Sequence, residues 1–77
     1  MILDLTQLKS GEIGRIAEIQ GGQGVVCRLG SMGIRPGKTV TKISAQFLRG
    51  PQTLKVDSLQ VAIGFGMARK ILIEVQR

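Results

Sequence analysis

Apolar and polar residues alternate along much of this chain, which is the pattern of β-strands that bury one face. The clearest example lies near the end of the sequence, where Ile71, Ile73 and Val75 share one face of an extended segment. Five segments show a strand-like pattern: residues 11–19, 38–47, 52–58, 59–64 and 70–76. We therefore expect a mostly β protein with about five strands.

Two of these segments change phase partway along. In the first, Ile16 faces away from Ile13 and Ile19, and in the second Val40 is out of phase with Ile43. A phase change along a strand indicates a β-bulge or strong coiling. Short coiled strands favour a small, partly closed barrel, because closure removes most of the open sheet edges.

The glycine-rich segment 21–34 follows a helical period instead. Val25, Leu29 and Met32 are spaced at i, i+4 and i+7, which places them on one face of a helix. Gly33 is suited to a left-handed C-cap behind them. The pattern predicts one short helix after the first strand, and "GMARK" predicts a short helical turn before the last strand.

Two sites that combine glycine with proline predict turns. In "RPGK", Pro36 presets φ at the second position, and Gly37 supplies the positive φ that a type II turn needs at the third. Gly50 and Pro51 predict a hairpin loop over residues 48–52.

Two glycine motifs resemble nucleotide-binding loops but lack the required spacing. Only three residues separate Gly33 from Gly37 in "GIRPGKT", whereas a P-loop has four residues between its glycines. In "GQGVVC", Cys27 stands where a dinucleotide-binding loop has its third glycine. Neither motif predicts a nucleotide site, and both are better explained as turns.

The composition fits one domain spanning residues 1–77 and offers little for catalysis. The chain has one cysteine, Cys27, and no histidine, so it cannot build an internal disulfide, and it lacks the usual acid–base group near neutral pH. One cysteine without histidine also cannot form a structural zinc site within one chain. We expect a non-enzymatic protein of the reducing cytoplasm that has no cofactor and no metal site of its own side chains, and direct contact with iron or another metal stays open.

The charge balance favours acidic partners. Eleven Lys and Arg against five Asp and Glu give a formal charge of +6, although the basic residues are spread along the chain. A basic barrel that binds nucleic acid remains an alternative, although two phenylalanines supply few platforms for base stacking. No signal peptide is evident, and the longest apolar run is far too short to span a bilayer.

The order of four segments resembles the bacterial and archaeal ferrous iron transport protein A (FeoA) family. These segments are "LTQLKSGEIGRIAEIQG", "RLGSMGIRPGKTV", "RGPQTLKV" and "QVAIGFGMARKILIEV", which together cover nearly the full chain. Two positions depart from the family pattern, which often has glycine where Ser58 stands and arginine where Gly64 stands.

The resemblance implies an SH3-like small barrel and an accessory role in ferrous iron uptake. It implies one partner, the membrane ferrous iron permease (ferrous iron transport protein B), contacted through its cytoplasmic GTP-binding domain. We expect that contact on the helix and its following turn: Val25, Val26, Leu29, Met32, Ile34 and Arg35. The alternative is that Leu29 and Val26 are core residues, and for Leu29 we favour the core. A homo-oligomer, or an anion bound at the helix N-terminus near Gly22 and Gly24, remains open.

Overall fold

One antiparallel sheet of six strands forms the frame of the computed structural model, which describes residues 1–45 and 50–76. The strands are β1 (Ile2–Asp4), β2 (Ile13–Ile19), β3 (Thr39–Ala45), β4 (Gln52–Val56), β5 (Leu59–Ile63) and β6 (Ile71–Glu74). Their order in the sheet is β1-β6-β2-β3-β4-β5, and within the described ranges no ladder joins β1 to β5. The sheet is therefore coiled but not closed. The predicted mostly β fold is confirmed, and β1 is an additional strand.

Two α-helices interrupt the strands where the sequence pattern predicts them, and a 3-10 helix (Leu5–Gln7) follows β1. Helix α1 (Gln23–Ser31) follows β2, and the single-turn helix α2 (Phe65–Ala68) precedes β6. The hairpin loop predicted over residues 48–52 falls partly outside the described residues, as do the last two residues of the strand predicted over 38–47.

The end of α1 is a Schellman motif, which satisfies carbonyls that would otherwise lack partners. The Ile34 N–H donates to the Leu29 carbonyl at 2.9 Å, and the Gly33 N–H donates to the Gly30 carbonyl at 3.0 Å. This motif requires a left-handed residue just past the helix, and Gly33 has φ of +86° there. The turn that follows is closed by a bond of 3.1 Å from the Lys38 N–H to the Arg35 carbonyl.

Both phase changes in the sequence correspond to β-bulges. The pairing of β2 with β6 shifts register between Ile16 and Glu18, and the pairing of β3 with β4 shifts between Lys42 and Ser44. The first bulge lets β2 bury both Ile16 and Ile19. An extra residue in one strand makes it bend, and two such bends help the sheet to coil.

The core is aliphatic and lies inside the coiled sheet. Its buried members come from most elements: Leu5, Leu8, Ile16, Ile19, Leu29, Ile34, Val40, Leu54, Val56, Ile63, Ala68, Ile71, Ile73 and Val75. Leu29 and Ile34 belong to this set because the Schellman motif folds Ile34 back towards Leu29. Helix α1 therefore contributes its inner face to the core.

Lys42 is a buried cation in this apolar interior. It follows Val40 on the inner face of β3 and is fully buried. Its ammonium donates to the Leu5 carbonyl at 2.8 Å and to the Leu8 carbonyl at 3.2 Å. Burial lowers the pKa of Lys42, while the nearby Asp4 and Glu12 act in the opposite direction. The lysine thus fastens the segment after β1 to the barrel.

Candidate functional site

The structure divides the six residues expected to contact a partner into two groups. Leu29 and Ile34 are fully buried, so neither side chain can reach a partner while the fold is intact. Val26 is 39% exposed, Arg35 is exposed, and Val25 and Met32 are half-buried against the core. We define the α1 surface as the accessible part of this region: Val25, Val26, Cys27, Arg28, Met32 and Arg35.

The α1 surface combines apolar and basic side chains. Arg28 and Arg35 are both exposed, and the Nε of Arg35 donates to the Gly30 carbonyl at 3.3 Å. This bond holds the guanidinium beside the last turn of α1, where the helix dipole favours a positive charge. Two surface ion pairs lie elsewhere, between Arg15 and Glu74 and between Lys38 and Asp57. The arrangement suits a partner with an apolar patch and nearby carboxylates.

The N-terminus of α1 is exposed, and the Lys70 side chain lies beside it, because a Cβ on Gly21 would be 3.4 Å from Cδ of Lys70. Gly22 begins the helix without a side-chain cap. The Gln20 N–H donates to the Lys70 carbonyl at 2.7 Å, which fixes the start of β6 beside this corner. The basic character of the α1 surface therefore continues towards Lys70.

An open groove of about 820 Å³ lies on a different part of the molecule. Ile13, Gly14 and Arg15 of β2 line one side, and Glu74 and Val75 line the other. The Arg15–Glu74 ion pair, with an N–O distance of 3.2 Å, spans these two strands. The groove is shallow and polar, unlike the enclosed apolar pockets that bind small molecules.

Gly14 is required where the groove is closest to the core. A Cβ at this position would collide with Cγ2 of Ile73 and would lie 2.9 Å from the Glu74 carbonyl oxygen. The β2 backbone therefore approaches β6 more closely than any side chain would allow.

The described residues do not assemble a recognisable metal centre or a membrane-crossing helix. Within residues 1–45 and 50–76, no three Asp, Glu, Cys or His side chains lie close enough together to hold a metal ion. In the same part of the chain, no helix has both the length and the apolarity to cross a membrane.

Comparison with known proteins identifies relatives of similar length. A candidate Fe(2+) transport protein A of Methanocaldococcus jannaschii is 38% identical over 66 residues, which cover 86% of this chain and 78% of that protein. The crystal structure of an iron uptake regulatory protein, FeoA, matches with a TM-score of 0.87 and 30% identity over 96% of each chain. The shared fold is the SH3-like small barrel expected from the sequence.

The same fold occurs inside larger proteins. A manganese-dependent transcriptional repressor matches 97% of this chain with a TM-score of 0.88, but the match covers only 42% of the repressor and is 20% identical. That likeness shows the fold alone. The family assignment comes from the FeoA domain model, which matches residues 3–75. The chain is thus a member of the FeoA domain family.

Proposed function

We propose that this protein is a non-enzymatic, cytoplasmic accessory of ferrous iron uptake that binds the membrane ferrous iron permease. In this proposal the α1 surface docks on the permease's cytoplasmic GTP-binding domain and modulates its GTP cycle or its transport. Membership of the FeoA family and the names of the similar proteins support the link to ferrous iron. The docking site is inferred from one observation, which is that the α1 surface exposes both apolar and basic side chains.

The composition of the α1 surface favours a protein partner. Val26 has 39% of its surface exposed, and Val25 and Met32, which pack partly against the core, add apolar area to the same region. Apolar contacts at the centre with charged residues at the rim are the usual anatomy of a protein interface. Arg35 belongs to that rim and is already oriented by its bond to Gly30.

The GTP site belongs to the partner in this proposal. The two glycine motifs of this chain lie at the start of α1 and in the turn after it, and neither has the spacing of a P-loop or a dinucleotide-binding loop. We expect no binding of GTP to the isolated protein in a calorimetric titration. Measurable affinity would contradict this part of the proposal.

A binding assay with a matched control tests the docking site. Val26→Asp places a charge on the α1 surface, and Ile43→Asp makes the same change on β3 at a side chain that is 37% exposed. We expect Val26→Asp to weaken binding to the purified GTP-binding domain of the permease by about tenfold or more, while Ile43→Asp binds like the wild type. Thermal unfolding of each variant verifies that it remains folded.

Either of two results would reject the α1 surface as the docking site. One is a folded Val26→Asp protein that binds with wild-type affinity, and the other is loss of binding in Ile43→Asp. If the unmodified protein does not bind the permease domain, the proposed partner is wrong. The alternative of nucleic-acid binding gains no support from the repressor match, which shows the fold alone.

A further inference from the structure

Strand β5 is an open sheet edge that lacks the charges, prolines and bulges that commonly block pairing. It pairs with β4 from Leu59 to Ile63, and among the described residues no second strand pairs with its outer side. Natural proteins protect such edges with charges, prolines, bulges or very short strands. The sequence of β5, Leu-Gln-Val-Ala-Ile, contains no charge and no proline, and its pairing with β4 is regular over five residues.

The other open edge of the sheet shows the contrast. Strand β1 has only three residues, Ile2–Asp4, and it ends in a carboxylate that caps the following 3-10 helix by accepting from the Thr6 N–H at 2.9 Å. Shortness and charge are two of the devices that block edge pairing. The two edges therefore differ, and β5 is the one suited to another strand.

The register of the hairpin shows which backbone groups are available. Val56 pairs with Leu59 across a two-residue turn, so these two residues exchange backbone hydrogen bonds. Along an antiparallel ladder, successive residues of one strand point their N–H and C=O groups alternately towards the partner strand and away from it. Leu59, Val61 and Ile63 then point their N–H and C=O groups towards β4. Gln60 and Ala62 point theirs towards the open edge.

We propose that a second copy of this chain pairs with this edge to form a two-fold symmetric dimer. An antiparallel β5–β5 pair centred on Val61 places Gln60 of each copy opposite Ala62 of the other. Each of these pairs exchanges both backbone hydrogen bonds. The strand is its own complement, which an isologous two-fold interface requires.

The same register covers the apolar side chain that β5 leaves most exposed. Leu59 is 58% exposed, whereas Ile63 on the same face is buried. In the proposed dimer Leu59 of one copy lies opposite Ile63 of the other, and the two Val61 side chains meet at the axis. Cross-strand apolar pairs of this kind stabilise a sheet.

The distribution of charge makes this edge the place where two copies of the chain can approach with little added repulsion. Two molecules with a formal charge of +6 repel each other at most orientations. Residues 58–68, which contain β5, carry no charged side chain, so approach along this edge adds little repulsion. Because the contact is one strand wide, it is smaller than a standard interface, and we expect a weak dimer that depends on concentration.

Light scattering and amide exchange test the dimer directly. From about 10 μM to about 1 mM, which spans weak affinities, we expect the mean mass to rise from 8.3 kDa towards twice that value. In the same series the amide protons of Gln60 and Ala62 should become slower to exchange, while that of Val61 is protected throughout. A mass that stays at 8.3 kDa over this range, or fast exchange at Gln60 and Ala62 at every concentration, would overturn the proposal.

Two variants separate the β5 edge from other surfaces. Ala62→Pro removes an N–H that points to the open edge and leaves the pairing with β4 intact. Leu59→Lys places a charge at the edge, which opposes pairing with another strand. Each variant should weaken the dimer at least about tenfold. The control is Ile13→Lys on β2, which changes a side chain that is 60% exposed. Leu59→Lys keeps the test decisive if Ala62→Pro does not fold. If Leu59→Lys still dimerises, or if Ile13→Lys does not, the interface lies elsewhere and the proposal is wrong.

Discussion

The ionisation of Lys42 is coupled to folding. Its ammonium is enclosed with the carbonyls of Leu5 and Leu8, and burial lowers its pKa below the ordinary lysine value. An unfolded chain then binds more protons than the folded one between the lowered pKa and the ordinary value of about 10.4. The contribution of Lys42 to stability must therefore rise with pH across that window, because the folded state binds this proton less tightly than the unfolded chain does.

This coupling predicts a pH profile that one substitution removes. We expect the free energy of unfolding of the wild type to increase relative to Lys42→Met as the pH is raised from 7 towards about 10.4, the ordinary lysine pKa. Urea titrations of both proteins at several pH values measure the difference, in which the other titrating groups cancel. A difference that stays constant with pH would show that folding leaves the pKa of Lys42 unchanged, and one that falls would show that folding raises this pKa; either result contradicts the prediction.

Leu29 and Val26 are close in sequence but differ in burial, which makes them a matched pair. Leu29 is fully buried, so Leu29→Ala should cost about 2–5 kcal/mol of stability. Val26 is 39% exposed, so Val26→Ala should change stability by no more than about 0.5 kcal/mol. Chemical denaturation measures both values. A Leu29→Ala protein as stable as the wild type would mean that α1 does not pack on the core as described.

At the level of the element, α1 depends on glycine at one position and is weakened by it at another. Gly33 needs φ of +86° for the Schellman motif, so Gly33→Ala should cost about 1–2 kcal/mol. A Cβ there would only reach ordinary contact with Val56, so the cost is one of backbone conformation. Gly24 lies in the helix with open space around it, so Gly24→Ala should stabilise by up to about 1 kcal/mol. Thermal melts compare the two, and effects of the same sign would contradict this account.

The sequence pattern was sufficient for elements whose pattern is local. Strand β6 alternates regularly, and α1 combines a helical period with Gly33 as its stop. Strand β1 was missed because three residues give no period, and because its position depends on distant contacts with β6. The inward position of Lys42 was missed for a related reason. From the sequence alone, a lysine in phase with Val40 suggests that the strand bends at this point. Its inward position is explained only by the fold, which brings the Leu5 carbonyl of the N-terminal segment within hydrogen-bond distance of the ammonium.

The candidate site was predicted less well than the fold, for a physical reason. The helical period places Val25, Leu29 and Met32 on one face, but it does not reveal whether that face meets the core or a partner. Tertiary packing decides this, and it buries Leu29 while leaving Val26 partly exposed. The open edge of β5 was invisible to the pattern as well, because strand order within a sheet depends on long-range pairing.

Charge is unevenly distributed over the whole molecule. No Asp or Glu occurs between Glu18 and Asp57, and that interval contains the entire α1 surface with Arg28 and Arg35. The remaining acidic residues belong to the segments that contain or adjoin β1, β2 and β6: Asp4, Glu12 and Glu74. Such asymmetry orients a charged protein as it approaches an acidic surface.

This asymmetry predicts how salt and charge reversal should affect binding to the permease domain. The association rate should fall several-fold between about 50 mM and about 500 mM salt, since screening shortens the reach of the basic surface. Arg35→Glu should slow association further at low salt, and stopped-flow mixing measures both effects.

The control, Lys9→Glu, makes the same change in net charge at an exposed residue whose N–H donates to the Glu12 carboxylate. Because the two variants carry equal net charge, equal slowing would mean that total charge alone steers the encounter. Slowing confined to Arg35→Glu assigns the steering to the α1 surface.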